Sequence, residues 1–235
     1  HYDRAQENLD LALSVVDANP GNRYAHAGYL NMLARHALET GDCRNISLGS
    51  DDSEEGKNSS LVTAAGMCAA IDRDIETASV AVARLEGMIE KARDAGKAYN
   101  ALQLEILSKE VQAMIGLASG NFDSAINLAK EASDIELENM SAPSGPPIPM
   151  KPAAELYGEM LAAAGRYEDA VSAYKRALNW VPNRTPSIVG MIAAASGSED
   201  HALADQMRSK IMQTPGINLD QFAPFLESSL AQNIN

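Results

Sequence analysis

Aromatic side chains are scarce, 5% of the chain with a single Trp, and Ala is abundant alongside Leu, Met and Glu. A sheet-based core has little to build on, and the composition reads as helix-forming. Cysteine is nearly absent: Cys43 and Cys68 are the only two. They form neither a disulfide framework nor a zinc knuckle. Two buried apolar thiols and a single bridge from the first loop to the next helix both stand as readings. No apolar run reaches the ~18 residues of a membrane helix, so membrane insertion is not expected. Basic residues are outnumbered 19 to 32, a net charge of −13. Such a field repels phosphate backbones and anionic lipid, which argues against nucleic acid as a partner; a basic partner protein would suit it.

The motifs of common chemistries are also missing. There is no Gly-rich phosphate loop, G-x-S-x-G, H-E-x-x-H or C-x-x-C. The four histidines are His1, His26, His36 and His201. His26 and His36 share one predicted helix but lie about 15 Å apart along it, too far to hold one metal ion. The expectation is a non-catalytic protein with no cofactor and no metal site. His1-Tyr2-Asp3 is not a natural initiator, so the chain reads as processed or truncated, and a lost leader is compatible with it.

What is there is helical repetition. KPAAELYGEMLAAAGRYEDAVSAYKRALNWVP, residues 151–182, reads as two amphipathic helices joined at Gly165-Arg166. A small residue in the first helix followed twelve positions later by a second recurs as Gly66/Ala78, Ala113/Ala125, Gly158/Ala170 and Gly190/Ala202. Each pair brackets a turn, at Asp72–Asp74, Gly120-Asn121, Gly165-Arg166 and Gly197-Ser198. Long helices are expected over 75–96 and 97–119. The first two helices are expected over 3–18, stopped by Pro20-Gly21, and 22–40, stopped by Gly41. The polar stretch 43–60, with Asp51, Asp52, Glu54 and Glu55 at its centre, reads as a solvated loop standing where a helix has degenerated. Pro143, Pro146, Pro147 and Pro149 make 138–151 an extended insertion. The organisation is therefore an N-terminal helical pair with an acidic loop (1–58), two degenerate helix pairs (59–137), the Pro-rich insertion (138–151), two further pairs (152–215) and a C-terminal capping helix and tail (216–235). In all, an all-α solenoid of about ten or eleven helices is expected.

Gly158, Ala170, Tyr174, Ala177 and Pro182 stand at the offsets of the tetratricopeptide repeat (TPR), and the chain resembles that family. The resemblance covers 151–182 most fully, extends through 106–137 and 183–215, and reaches 59–94 more loosely. It implies a superhelix of antiparallel helix pairs with a concave ligand-binding face. More narrowly, GPPIPMKPAAELYGEMLAAAGRYEDAVSAYKRALNWVPNRTPSIVGM (145–191) and ARHALETGD (34–42) look like the C-terminal part of a group of uncharacterised bacterial TPR proteins. Members of that group often carry export signals, which favours an extracytoplasmic, periplasmic setting over the cytoplasm.

The same resemblance places Glu155 and Glu159 on the concave face, one helical turn apart, as an acidic pair able to recognise a basic or amide-bearing ligand. Met67, Met114 and Met191 fall at the offset of Glu159 in the other repeats and would form a soft apolar stripe, suited to an adaptable peptide. The groove lacks the Lys, Arg and Asn set of chaperone-binding TPRs, so binding of chaperone tails is not implied. The sequence reading is a scaffold or adaptor that binds a protein or peptide through Glu155, Glu159, Met67, Met114 and Met191. The alternative is a small-molecule binding or transport-accessory protein holding its ligand between repeats.

Overall fold

The computed structural model describes residues 2–143 and 148–213; the expected capping helix at 218–230 lies outside them. All regular structure among the described residues is helical, in eleven elements: α1 (Tyr2–Ala18), α2 (Arg23–Thr40), α3 (Glu54–Lys57), α4 (Ser59–Ile71), α5 (Ile75–Asp94), α6 (Ala98–Ala118), α7 (Phe122–Asn139), α8 (Ala153–Ala163), α9 (Tyr167–Trp180), α10 (Thr185–Gly197) and α11 (His201–Met212). Helices start where the sequence supplies a capping oxygen. Asn22, Asn58, Asp74, Asn121 and Asp200 each accept a backbone N–H from the first turn of their helix. The chain forms two compact units, residues 1–115 with 148–150, and residues 116–147 with 151–235.

One turn closes hairpin after hairpin. The N–H groups of Asp74, Asn121, Arg166 and Asp200 donate to the carbonyls of Ala69, Gly116, Leu161 and Ala195, five residues back, at 2.8–2.9 Å. The residue just before each donor, Arg73, Gly120, Gly165 or Glu199, has φ between 60° and 74°. This is the Schellman arrangement, which satisfies carbonyls orphaned at a helix end and sends the chain back on itself. Lys97 closes α5 in the same way on Ala92.

The two helices of a hairpin differ in kind. In α4 every residue from Ser60 to Ala70 is buried, and α8 and α10 are covered nearly as fully. Their partners bury one stripe only: Ala78, Ala81, Leu85, Ile89 and Ala92 in α5, and Ala204, Met207 and Ile211 in α11. Small residues permit this cover. A Cβ on Gly66 would meet Ala81 at 2.8 Å and Val111 at 2.7 Å, and one on Gly116 would meet the Ala125 backbone at 3.2 Å. The Tyr174 ring of α9 is wedged between Gly158 of α8 and Gly190 of α10. The close approaches of Gly66 and Gly158 therefore fall about one turn past Ala78 and Ala170, the residues their spacing singles out. Ala202 departs further: it is exposed, and Ala204 takes the inward place.

In the first unit the structure decides between the two readings left open for the cysteines. Cys43 and Cys68 are bridged, which ties the loop to α4; closing a loop of this length contributes about 3 kcal/mol in the chain-entropy view. The loop is fastened further by Arg84 of α5, whose guanidinium donates to the Leu48 carbonyl at 2.7 Å and pairs with Asp51. Ser53 caps the single turn of α3. The acidic stretch is solvated as expected, with Asp51, Asp52 and Glu54 exposed, but it is anchored at Cys43, Leu48 and Asp51. Beneath it, Leu9, Leu30, Leu33, Ala34, Leu61, Ala64 and Met150 form one apolar cluster.

Gly190→Ala should test the close packing. An Ala normally favours a helix over Gly by ~1 kcal/mol, but here the methyl would strike the Tyr174 ring, and overpacking costs ~1–3 kcal/mol. Gly87 in α5 has nothing within 4 Å of an added Cβ, so Gly87→Ala should raise the melting temperature while Gly190→Ala lowers it. Thermal melts of both variants check this.

Candidate functional site

The second unit gathers charge where its helices are most apolar. Glu155 lies in the first turn of α8, wholly buried. An unpaired carboxylate there would not stay ionised. Arg184, just before α10, meets it with both arms of the guanidinium, Nε to Oε2 at 2.7 Å and Nη2 to Oε1 at 2.9 Å. The Ser187 hydroxyl adds a further short hydrogen bond to Oε2. One turn along, Glu159 takes two hydrogen bonds from Lys151 Nζ, at 2.6 and 2.7 Å. Tyr174 is buried beside these carboxylates, and burial together with their charges pushes its phenol well above the usual range.

The charge states follow from competing causes. Burial alone would raise the Glu155 carboxyl, but Arg184, Ser187 and Lys151 outweigh it and hold it below the usual carboxylate range. Burial would lower Lys151, yet Glu159 and Glu155 hold it above its usual range. Burial and the Glu155 charge push Glu159 up against the pull of Lys151. Glu159 keeps 22% of its side chain, and Lys151 17%, in contact with solvent. Water therefore limits the burial effect, and the pair is ionised at neutral pH. Two anions and two cations then cancel, a self-satisfied network.

A third carboxylate serves the same helix. Pro152 begins α8 without a capping side chain. Glu136 of α7 supplies the acceptor from elsewhere: its Oε2 takes the Ala153 N–H at 2.8 Å, and the Ala154 N–H and the Trp180 indole also donate to it. These donors and the helix dipole favour the anion. Burial is stronger and pushes the carboxyl up to about 7.

The residues singled out from sequence are thus placed differently from expectation. Glu155 and Glu159 do share a face of α8, but Glu155 is sealed under Arg184 and only Glu159 reaches water. Met67, Met114 and Met191 are 2%, 7% and 3% exposed, the first two in one unit and the third in the other. They pack between helices and present no stripe. Arg184, Lys151 and Glu136 escaped the sequence reading. The signal available was a carboxylate in a helix with almost no other polar residue, AAELYGEMLAA, which demands a counter-charge. A cleft of about 530 Å³ opens elsewhere in this unit, at the hairpin ends, bordered by Phe122, Asp123, Ile126, Ala163 and Arg166. It is open and its cation is engaged: Arg166 forks onto Asp169 at 2.7 and 2.9 Å. Among the described residues no group of three His, Cys, Asp or Glu could hold a metal ion, and no helix is long and apolar enough to cross a membrane.

Two outcomes are expected. Glu155→Gln leaves Arg184 buried without its counter-charge and should cost about 3 kcal/mol, whereas Glu159→Gln, at the wet edge, should cost under about 1 kcal/mol; chemical denaturation separates them. Glu136 binds its proton more tightly in the fold than in the unfolded chain. Its contribution is therefore full below pH ~4.5 and is lost as pH rises through about 7. Glu136→Gln should flatten stability between pH 5 and 8, with its gain over the parent growing toward pH 8; melting temperatures across that range check it.

No family model, curated protein or solved structure matches this chain.

Proposed function

We propose that the protein is a non-catalytic scaffold of the TPR type, a superhelix of helix pairs that binds a protein or peptide partner through its concave face. The observation that carries this reading is the recurrence of one closing turn in four successive hairpins, with the donors of the last two, Arg166 and Asp200, at the 34-residue spacing of the repeat. The wedging of Tyr174 between Gly158 and Gly190 supports it. A unit whose first helix is covered on every side cannot bury that helix alone and depends on like neighbours.

Of the five residues named from sequence, Glu159 is the one able to meet a partner, and it does so together with Lys151. Ala162 lies three residues further along the same face of α8 and is half-buried, so the contact surface runs along Glu159 and Ala162. The net charge of −13 favours a partner with basic character. A small-molecule role would call for an enclosed cavity; the cleft at the hairpin ends is an open trough and favours a peptide.

A photo-crosslinking amino acid at Ala162 tests this in cells of the source organism. The expected result is one dominant protein adduct from Ala162 and none from Glu168, which is exposed on α9. Equal labelling from both positions, or none from Ala162, would contradict the assignment.

A further inference from the structure

Glu136 stands where a change of charge is felt by three helices at once. It belongs to α7 and is 3% exposed. Its Oε2 accepts the Ala153 N–H at the start of α8, at 2.8 Å. The Ala154 N–H and the Trp180 indole, at the end of α9, also donate to it. All three donors are neutral, and the charges nearby are turned elsewhere. From α8 the charge that reaches Glu136 is Glu155, of like sign and engaged by Arg184. Lys151, just before α8, is bound to Glu159. Arg176 of α9 is bound to Asp134, as is Lys130 of α7 itself. The fastening at this point is also thin. Pro152 supplies no side-chain cap. Its carbonyl accepts the Glu155 and Leu156 N–H groups, which leaves those of Ala153 and Ala154 to Glu136. Two residues before Ala153, the Lys151 side chain runs along α8 to Glu159, so the seat of the first turn sets that pair as well.

From this geometry we infer that the start of α8 is a pH-operated latch. As Glu136 loses its proton, the first turn of α8 opens, water reaches the carboxylate, and Lys151 slackens its hold on Glu159. The cause is desolvation. An anion kept in the closed site has neutral donors and the Glu155 charge around it, whereas in the open form it is hydrated. The sign follows from where the proton is held more tightly. Burial raises the closed carboxyl from its ordinary 4.5 to about 7, so the closed form is favoured at low pH. Opening then increases as pH rises between those values and levels off above them. The latch stands on the surroundings of Glu136. That it governs a partner contact, through the Lys151–Glu159 pair, rests on the adaptor reading.

Amide hydrogen exchange of the full chain, followed by NMR from pH 5 to 8 and corrected for the intrinsic rate, tests the latch. The Ala153 and Ala154 amides should open more often than those of Ile192 and Ala194 in α10 at every pH. Their opening should rise at least about tenfold from pH 5 to 7 and then level off. Glu136→Gln, which keeps the shape and removes the charge, should abolish the rise. A rise that survives in this variant, a flat profile in the parent, or opening no more frequent than in α10 overturns the inference. If the variant does not fold, Trp180 decides the matter in the parent, since it is the one Trp of the chain. Its indole N–H resonance should titrate between pH 6 and 8; a static resonance overturns the inference. Crosslinking from Ala162 is read separately. Capture there with a flat Ala153 profile ends the latch alone; a titrating latch without capture at Ala162 ends the placement of the partner face instead.

Discussion

Covering a helix on all sides is the constraint from which the other features follow. A surface helix can face its polar residues outward, but α4, α8 and α10 have almost no outward side. Each must therefore be apolar, be built of small residues where another helix crosses, and have any charge it keeps neutralised inside the fold. Gly66, Gly158 and Gly190 meet the second demand. Glu155 raises the third, and Arg184 with Ser187 answers it. A buried pair of this kind adds little net stability over an apolar pair of equal size, yet breaking it on one side is costly. Its consequence is register: only one seating of the Arg184 segment against α8 closes both arms of the guanidinium.

The same constraint explains the start of α8. A helix following Pro152, with no Ser, Thr, Asp or Asn to cap it, leaves its first N–H groups facing a dry interior. Glu136 fills that place from the preceding helix, across the Pro-rich insertion. In this unit acidic side chains are structural parts, and the exposed carboxylates are what remains for solvent or a partner.

Much of this was legible in the sequence. Turn positions and helix limits follow from short-range rules, namely periodicity, caps and turn residues; the seat of Tyr174 between Gly158 and Gly190 does not, because the spacing singles out Ala170 and Ala202 instead. What escaped depends on long-range pairing. Arg184 lies 29 residues from Glu155 and Glu136 17 residues from Ala153, and no local pattern links them. Glu155 and Glu159 were correctly put on one face, but a shared face does not say whether that face is wet. The methionines show the same gap: repeat position fixed their offset, while burial depends on what lies opposite. The fate of Cys43 and Cys68 was open for a related reason, since spacing alone does not bring a loop onto a helix.

The claim at the centre of this account is that the Glu155–Arg184 pair is an internal strut and not a ligand contact. A double-mutant cycle with Glu155→Gln and Arg184→Gln, followed by urea denaturation, tests it most directly. The account predicts that the two single variants are each strongly destabilised and that the double variant recovers part of the loss, a coupling of about 2 kcal/mol or more. Additive losses, or single variants as stable as the parent, would contradict it and return Glu155 to the candidates for binding.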